Sequence, residues 1–174
     1  MTDTEALSQA IRDVPDFPKP GILFKDITPI LGDPRLLRAA IRLFADRHRD
    51  TGIDRVAGIE SRGFIFAAPL ALELNAGFVP IRKKGKLPHC TIEVSYELEY
   101  GDATLEVHVD ALKRGERILI IDDLLATGGT AEATVELIEK LGGSVAEVDF
   151  LVELAFLHGR EKLSRYPVYA PIVF

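Results

Sequence analysis

The chain has 174 residues, of which 47% are hydrophobic and 28% charged, a composition typical of a globular domain with a buried core. Its 27 acidic residues outnumber its 21 basic ones, and the net charge of −6 argues against the basic surface that non-specific nucleic-acid binding requires. The single cysteine, Cys90, excludes an internal disulfide and favours a reducing compartment. The polar N-terminus has no signal-peptide core, and the longest nearly apolar run, residues 63–72, is too short to cross a bilayer. We therefore expect one cytoplasmic domain over residues 1–174, with no nucleic-acid or membrane partner.

The N-terminal part alternates between helical and proline-broken segments. A short helix is predicted over residues 4–12, and the prolines that follow indicate an irregular arm with an apolar insert at residues 22–24. Asp33 is a typical helix N-cap, and Pro34 suits the first helical position. A helix with one apolar face is expected after them, formed by Leu37, Ala40, Ile41 and Phe44.

The middle of the chain predicts a strand–helix–strand unit followed by a hairpin. Residues 55–59 and 78–81 are typical of short buried strands, and an apolar helix over residues 64–74 lies between them, which favours a parallel βαβ unit. Two alternating runs, residues 91–96 and 103–109, flank a Gly-Asp turn signal and predict a β-hairpin.

A second strand–helix–strand pattern completes the chain. Residues 117–121 predict a buried strand, residues 130–141 a helix, and residues 144–154 a last long strand before a short tail. The fold class that these elements predict is α/β, an open and mostly parallel sheet flanked by helices, with an N-terminal arm and a hairpin flap.

The string ILIIDDLLATGGT, residues 118–130, is the strongest chemical signal. It places Asp122 and Asp123 at the carboxyl end of a buried strand, the edge where open α/β sheets bind ligands. The glycines that follow leave room at a helix N-terminus, whose free N–H groups suit a phosphate. Carboxylates suit hydroxyl donors or a divalent cation, so the pair beside the phosphate loop predicts a ribose 5-phosphate. A Walker A loop would need a lysine after Gly129, and a dinucleotide fingerprint would need separated glycines.

Two further segments are candidates for binding anions. The turn ESRG, residues 60–63, carries Ser61 and Arg62 at a strand end, where they suit a second anion. The basic stretch RKKGK, residues 82–86, is either a solvated loop or a set of charges that neutralises a leaving group.

These motifs resemble those of a known enzyme family. At ILIIDDLLATGGT the chain resembles the type I phosphoribosyltransferases, and the LL before ATGGT is similar to the adenine-specific members of that family. The resemblance continues, in order, through DFPKPGILFKDITPIL, ESRGF, RKKGKLP, SYELEYG and LVELAFLHGREKL. It implies a hood formed by residues 1–33 and a flexible flap over residues 82–112. It also implies a homodimer that converts adenine and phosphoribosyl pyrophosphate to AMP and pyrophosphate, with Mg2+ carried by the pyrophosphate rather than by a direct metal site.

The resemblance also implies a role for each candidate residue. The ribose 5-phosphate would be held by Asp122, Asp123, Ala126, Thr127, Gly128, Gly129 and Thr130. Pyrophosphate would be held by Ser61, Arg62, Arg82, Lys83 and Lys86, of which Arg62 and Arg82 would be catalytic. A non-proline cis peptide in the pyrophosphate loop would fall between Glu60 and Ser61. Adenine would be held by Leu23, Phe24, Lys25 and Leu124. Glu99 would transfer a proton near the purine, and Tyr100 would lie beside it on the flap.

Two other functions stay open at this point. One is a phosphoribosyltransferase for another purine base, against which the LLATGGT string and the PKPGILFKDIT arm argue. The other is a non-catalytic regulator that senses phosphoribosyl pyrophosphate. Such regulators usually carry an added DNA-binding region, for which a chain of 174 residues and charge −6 offers neither the room nor a basic face.

Overall fold

A computed structural model of the chain describes residues 2–97 and 101–174. They fall into two compact units, Met1–Asp46 and Arg47–Phe174. The single domain expected from chain length stays a prediction. No helix within the described residues is long and apolar enough to cross a membrane.

The first unit contains two strands where an irregular arm was predicted. Helix α1 (Asp3–Ala10) is followed by β1 (Arg12–Pro15) and β2 (Leu23–Asp26), which pair antiparallel with Val14 opposite Phe24. Helices α2 (Thr28–Gly32) and α3 (Pro34–His48) complete this part of the chain.

The prediction of an irregular arm was wrong because its prolines do not interrupt the pairing. Pro15 ends β1, and Pro18 and Pro20 lie in the loop between the strands, where no ladder N–H is needed, while Pro29 lies in α2. That loop is closed by local bonds: the Asp16 carboxylate accepts from the Gly21 N–H at 2.7 Å, and the Phe17 N–H donates to the Ile22 carbonyl at 3.2 Å. Beyond it, Asp33 caps α3 as predicted, accepting from the Arg35 N–H at 2.8 Å.

The second unit is built on one eight-stranded sheet. Its elements are β3 (Arg55–Ile59), α4 (Gly63–Glu73), β4 (Gly77–Lys83), β5 (Thr91–Glu97), β6 (Asp102–His108), β7 (Arg117–Leu125), α5 (Gly129–Lys140), β8 (Ser144–Glu153), β9 (Val168–Tyr169) and β10 (Ile172–Val173). The strand order is β10-β8-β7-β3-β4-β6-β5, with β9 also paired to β8. Among the described strand pairs of this sheet, only β4–β6 and β5–β6 are antiparallel. The α/β fold with a mostly parallel sheet and a β-hairpin is confirmed.

The centre of this sheet is apolar on both faces, as parallel strands covered by helices require. The four residues Ile118, Leu119, Ile120 and Ile121 of β7 are all fully buried. Helices α4 and α5 both pack against β7. Strand β7 lies between β3 and β8, so its carboxyl end opens at the middle of the sheet.

Strand β7 is longer than predicted. It was expected to end at Ile121, but its pairing with β8 continues through Asp122 opposite Phe150 and Leu124 opposite Val152. The two aspartates therefore lie within the strand and are held by its ladder. The short strands β9 and β10 were not predicted, because two-residue strands leave no periodic signal in the sequence.

Candidate active site

A cavity of about 520 Å³ opens at the carboxyl end of β7. Its walls come from the turn after β3, from the segment that joins β7 to α5, and from the β5–β6 hairpin. The predicted site residues that line it are Ser61, Arg62, Lys83, Asp122, Asp123, Leu124, Ala126, Thr127, Gly128, Gly129 and Thr130. Parallel strands end at the same edge of a sheet, so segments far apart in sequence meet there.

The loop between β7 and α5 has the backbone of an anion cradle. Gly128 adopts a left-handed φ of 83° and precedes the first residue of α5. A Cβ at this position would lie 2.5 Å from the Gly159 carbonyl oxygen, so both conformation and space require glycine. The first N–H groups of any α-helix have no partner within the helix, and at α5 they follow directly on Gly128, which is the arrangement that binds phosphate at a helix N-terminus.

Gly129 leaves room for a different group than expected. The sequence suggested that the absent side chain makes space for a phosphate. A Cβ at Gly129 would instead point at the Tyr96 ring, 3.3 Å from Cδ2, with Lys162 Nζ at 3.6 Å. The small residue therefore allows the hairpin to approach the start of α5.

Two carboxylates and an arginine form the floor of the cavity. Asp123 is almost fully buried, and its Oδ2 lies 2.6 Å from Arg62 Nε. Asp122 is reached from the cavity, and its Oδ1 accepts from the Asp123 N–H at 2.9 Å. Burial and the neighbouring Asp123 carboxylate raise the pKa of Asp122 well above its usual range. Arg62 thus balances the charge of the buried Asp123, whereas the raised pKa favours the protonated form of Asp122.

The turn after β3 carries a carboxylate, Glu60, that is bonded to two groups of the basic segment. A cis peptide joins Glu60 to Ser61, where the resemblance placed it. The Glu60 carboxylate accepts from Arg82 Nε at 2.7 Å and from the Lys83 N–H at 2.9 Å. Burial raises the pKa of Glu60, but these two donors outweigh it and the net pKa is lowered. Glu60 therefore stays ionised and anchors the start of the basic segment.

Two of the predicted pyrophosphate residues lie outside the lining of this cavity. Arg82 is held by Glu60, and its Nη1 donates to the Lys86 carbonyl at 3.3 Å. The Lys86 N–H donates to the buried Glu106 carboxylate at 2.8 Å, as does the Leu87 N–H. The basic segment is therefore fixed at its backbone, and Lys83 is the member of it that reaches the cavity.

The predicted adenine residues belong to both units. Leu23, Phe24 and Lys25 form β2 in the first unit, where the Phe24 ring meets Phe17 edge-on at 5.1 Å and Lys25 Nζ lies 2.6 Å from Asp13. Leu124 lines the cavity in the second unit. Their roles toward adenine stay predictions. Glu99 and Tyr100 lie outside the described residues, so their predicted roles are untested.

Sequence reasoning missed Tyr96, a cavity residue on β5 whose hydroxyl lies 3.0 Å from Thr130 Oγ1. The alternation of β5 contains the signal, because Tyr96 shares a face with buried Val94 and half-buried Ile92. Residues 91–96 were predicted as a strand of the hairpin, and Tyr96 was given no role in the site.

A second group of ionisable side chains lies away from the cavity. His48, Glu147 and Asp149 approach one another closely enough to hold a metal ion, and none of them lines the cavity. Asp149 Oδ2 lies 2.7 Å from His48 Nε2, and Arg47 Nη2 lies 2.5 Å from Glu147. The carboxylates therefore already have cationic or hydrogen-bonding partners within the protein.

Comparison with known proteins identifies the family. The phosphoribosyl transferase domain family matches residues 27–171. The chain is 56% identical over 166 residues to an adenine phosphoribosyltransferase of Nitrosococcus oceani, covering 95% of this chain and 97% of that protein. The chain belongs to the adenine phosphoribosyltransferase family.

Solved structures of the family have the same fold. The crystal structure of the adenine phosphoribosyltransferase from Rhodothermus marinus is 55% identical, with a TM-score of 0.93 over 99% of this chain and 98% of that one. The Saccharomyces cerevisiae member, complexed with an imino-altritol bisphosphate and adenine, is 42% identical, with a TM-score of 0.93 over 97% of this chain and 98% of that one. Members of the family are pentosyl-transferring enzymes, and the site described above lies within the matched residues.

Proposed function

We propose that the protein transfers the phosphoribosyl group of phosphoribosyl pyrophosphate to adenine, forming AMP and pyrophosphate. The observation that carries the proposal is the pairing, in one cavity, of an anion cradle at Gly128–Thr130 with two carboxylates at Asp122 and Asp123. This pairing fits a ligand that carries a phosphate and two neighbouring hydroxyls, as ribose 5-phosphate does. The yeast relative contains adenine together with a bisphosphate, which supports the choice of base.

The reaction breaks the bond between the anomeric carbon and the pyrophosphate oxygen and forms one from that carbon to adenine N9. The electron pair of the broken bond leaves with pyrophosphate, and the N9 proton is released. Positive charge develops on the ribose ring as the leaving group departs. The family's residues contribute chiefly by positioning the two substrates and by stabilising charge.

Each part of the site has a proposed role. The cradle residues Ala126, Thr127, Gly128, Gly129 and Thr130 hold the 5′-phosphate, and Asp122 and Asp123 accept hydrogen bonds from the ribose hydroxyls. Ser61, Arg62 and Lys83 bind pyrophosphate at the turn after β3. Arg82 and Lys86 join them when the basic segment rearranges from the position in which Glu60 and Glu106 hold it.

Adenine binding and proton transfer complete the proposal. Phe24 stacks on adenine, Leu124 covers its other face, and the backbone groups of Leu23 and Lys25 read the base edge. Glu99 exchanges the purine proton, with Tyr100 beside it on the flap.

Mg2+ suits this site as a companion of the substrate. Mg2+ is usually held by substrate phosphates with one or two carboxylates and several waters. The cavity offers Asp122 and Asp123, of which Asp123 is already paired with Arg62. The ion, when bound through pyrophosphate, would neutralise part of the leaving group's charge.

We also propose that the enzyme works in the cytoplasm as a homodimer.

A base screen tests the function. Purified protein is assayed with phosphoribosyl pyrophosphate, Mg2+ and adenine, guanine, hypoxanthine or xanthine in turn. We expect AMP from adenine and little product from the others. Efficient use of another purine would identify the first alternative, and tight binding of phosphoribosyl pyrophosphate without turnover of any base would identify a sensor.

A further inference from the structure

Tyr96 stands where the hairpin meets the anion cradle. It lies on β5 opposite Ala103 of β6, and its half-buried ring packs against the main hydrophobic core. The ring covers the side of Gly129 on which any other residue would carry a Cβ. The Tyr96 hydroxyl lies 3.0 Å from Thr130 Oγ1. Packing explains the ring but does not require the hydroxyl, since a phenylalanine ring would fill the same space.

Thr130 is held from two sides. Its carbonyl accepts from the Thr134 hydroxyl at 2.8 Å, and its own hydroxyl is bonded to Tyr96. A threonine in a helix otherwise divides its side chain between two rotamers, because the hydroxyl also bonds to backbone carbonyls. Tyr96 therefore selects the position of a hydroxyl that lines the cavity at the start of α5.

An anion bound in the cradle would set the direction of this hydroxyl pair. Each hydroxyl has one proton to donate, so the bond runs either from tyrosine to threonine or the reverse. An anion in the cradle accepts hydrogen bonds only, so Thr130 must direct its proton to the anion. Thr130 then accepts from Tyr96, and the order of donation is Tyr96 to Thr130 to anion.

We propose that Tyr96 is a positioning residue for the 5′-phosphate, acting through the hydroxyl of Thr130. The inference rests on the proposed function, because it takes that phosphate as the occupant of the cradle. It also gives the hairpin a part in phosphate binding, since the same contact that orients Thr130 attaches β5 to α5. Phosphate binding and the contact between β5 and α5 are therefore coupled, so an anion bound in the cradle also stabilises the contact that attaches the hairpin.

Tyr96→Phe tests the proposal, since it removes one hydroxyl and keeps the ring. We expect the Kd of AMP, measured by calorimetry, and the KM of phosphoribosyl pyrophosphate to rise about three- to tenfold, the usual effect of one hydrogen bond. The KM of adenine should stay unchanged, and the melting temperature should fall by no more than a few °C, the effect of losing one hydrogen bond. In a Thr130→Ala background the same substitution should have little further effect on AMP binding.

Tyr166→Phe is the matched control. Tyr166 donates its hydroxyl to Glu139 near the other end of α5 and lies outside the cavity lining. This variant should bind AMP like the wild type.

Three results would overturn the inference: unchanged AMP affinity in Tyr96→Phe, an equal rise in both KM values, or full additivity with Thr130→Ala. If wild-type protein bound no AMP and made none, the proposed function itself would fail, a result distinct from these three.

Discussion

Asp149 is an enclosed carboxylate with an incomplete set of partners. It is fully buried, Oδ2 bonds to His48, and Oδ1 has no hydrogen-bond partner within the described residues. Burial raises the pKa of Asp149 to about 6, against the opposing effect of His48. A raised pKa means that the folded protein holds this proton more tightly than the unfolded chain does. The stabilisation is therefore complete below the unfolded pKa, near 4, and is lost as the pH rises through 6.

Asp149→Asn should reveal this linkage. We expect the free energy of unfolding of the wild type, relative to the variant, to fall by about 2 kcal/mol between pH 4 and pH 7. Urea unfolding at a series of pH values measures the difference. Asp110→Asn, at an exposed position, is the control and should give a flat difference. A flat difference for Asp149→Asn would contradict the raised pKa.

Phe24 is the residue on which the proposed adenine contact depends. Phe24→Ala should raise the KM of adenine about tenfold or more, since stacking of a base on an aromatic ring contributes about 1–3 kcal/mol. The KM of phosphoribosyl pyrophosphate should change little. Steady-state kinetics, with each substrate varied in turn, measures the two KM values. Phe17→Ala removes the ring that meets Phe24 edge-on and serves as the control, and equal effects from the two variants would make Phe24 a packing residue only.

At the scale of elements, the segment from β7 to α5 carries the site. The ladder with β8 holds Asp122 in place, and the left-handed Gly128 turns the chain into the helix. The turn also touches the 3₁₀ segment Gly159–Leu163, because Gly128 and Gly159 approach each other at their backbones. Two glycines 31 positions apart in the sequence thus define one cradle.

Gly128→Ala should damage both stability and ligand binding. A left-handed alanine costs about 1–2 kcal/mol, and the clash with the Gly159 carbonyl adds to it by displacing the cradle. We expect AMP to bind at least about tenfold more weakly, as measured by calorimetry.

Gly115→Ala separates the two causes. Gly115 has the same left-handed backbone, with φ at 85°, but no atom within 4 Å of the added Cβ. The Gly115→Ala variant should therefore be less stable than the wild type but should bind AMP normally. If both variants bound AMP equally well, the close approach at Gly128 would have no part in the site.

At the scale of the whole molecule, ligand binding should be visible as stabilisation. A ligand that binds only the folded state at 100 times its Kd adds about 2.7 kcal/mol, which corresponds to a rise of roughly 5–10 °C in Tm for a chain of this size. We expect this rise with AMP and not with inosine, which carries neither the phosphate nor the adenine base. Thermal scans at several AMP concentrations measure it, and a Tm independent of AMP would contradict the proposed site.

Much of this protein follows from local sequence patterns. The strand Arg55–Ile59 was predicted at its observed bounds, and α5 within one residue at each end, because an apolar run or a helical period between turn residues is a local property. The cradle was predicted from turn chemistry and from the carboxylates before it. Local patterns also misled at β7, where two charged residues indicated a strand end although the ladder continues. Arg62, sixty-one positions earlier, supplies the partner that lets Asp123 stay buried.

Other features depend on contacts that only the folded chain makes. The pairing of β1 with β2, the hydrogen bond from Arg82 to Glu60, and the bond between Tyr96 and Thr130 each join residues eight or more positions apart. No periodicity or turn signal specifies such a partner, since each side chain alone is compatible with solvent. The sheet order decides them, because it brings the ends of β3, β4 and β7 to one edge and lays the hairpin against α5. The sequence by itself thus determined the chemistry of the proposed phosphate site, whereas tertiary structure decided which side chains surround it.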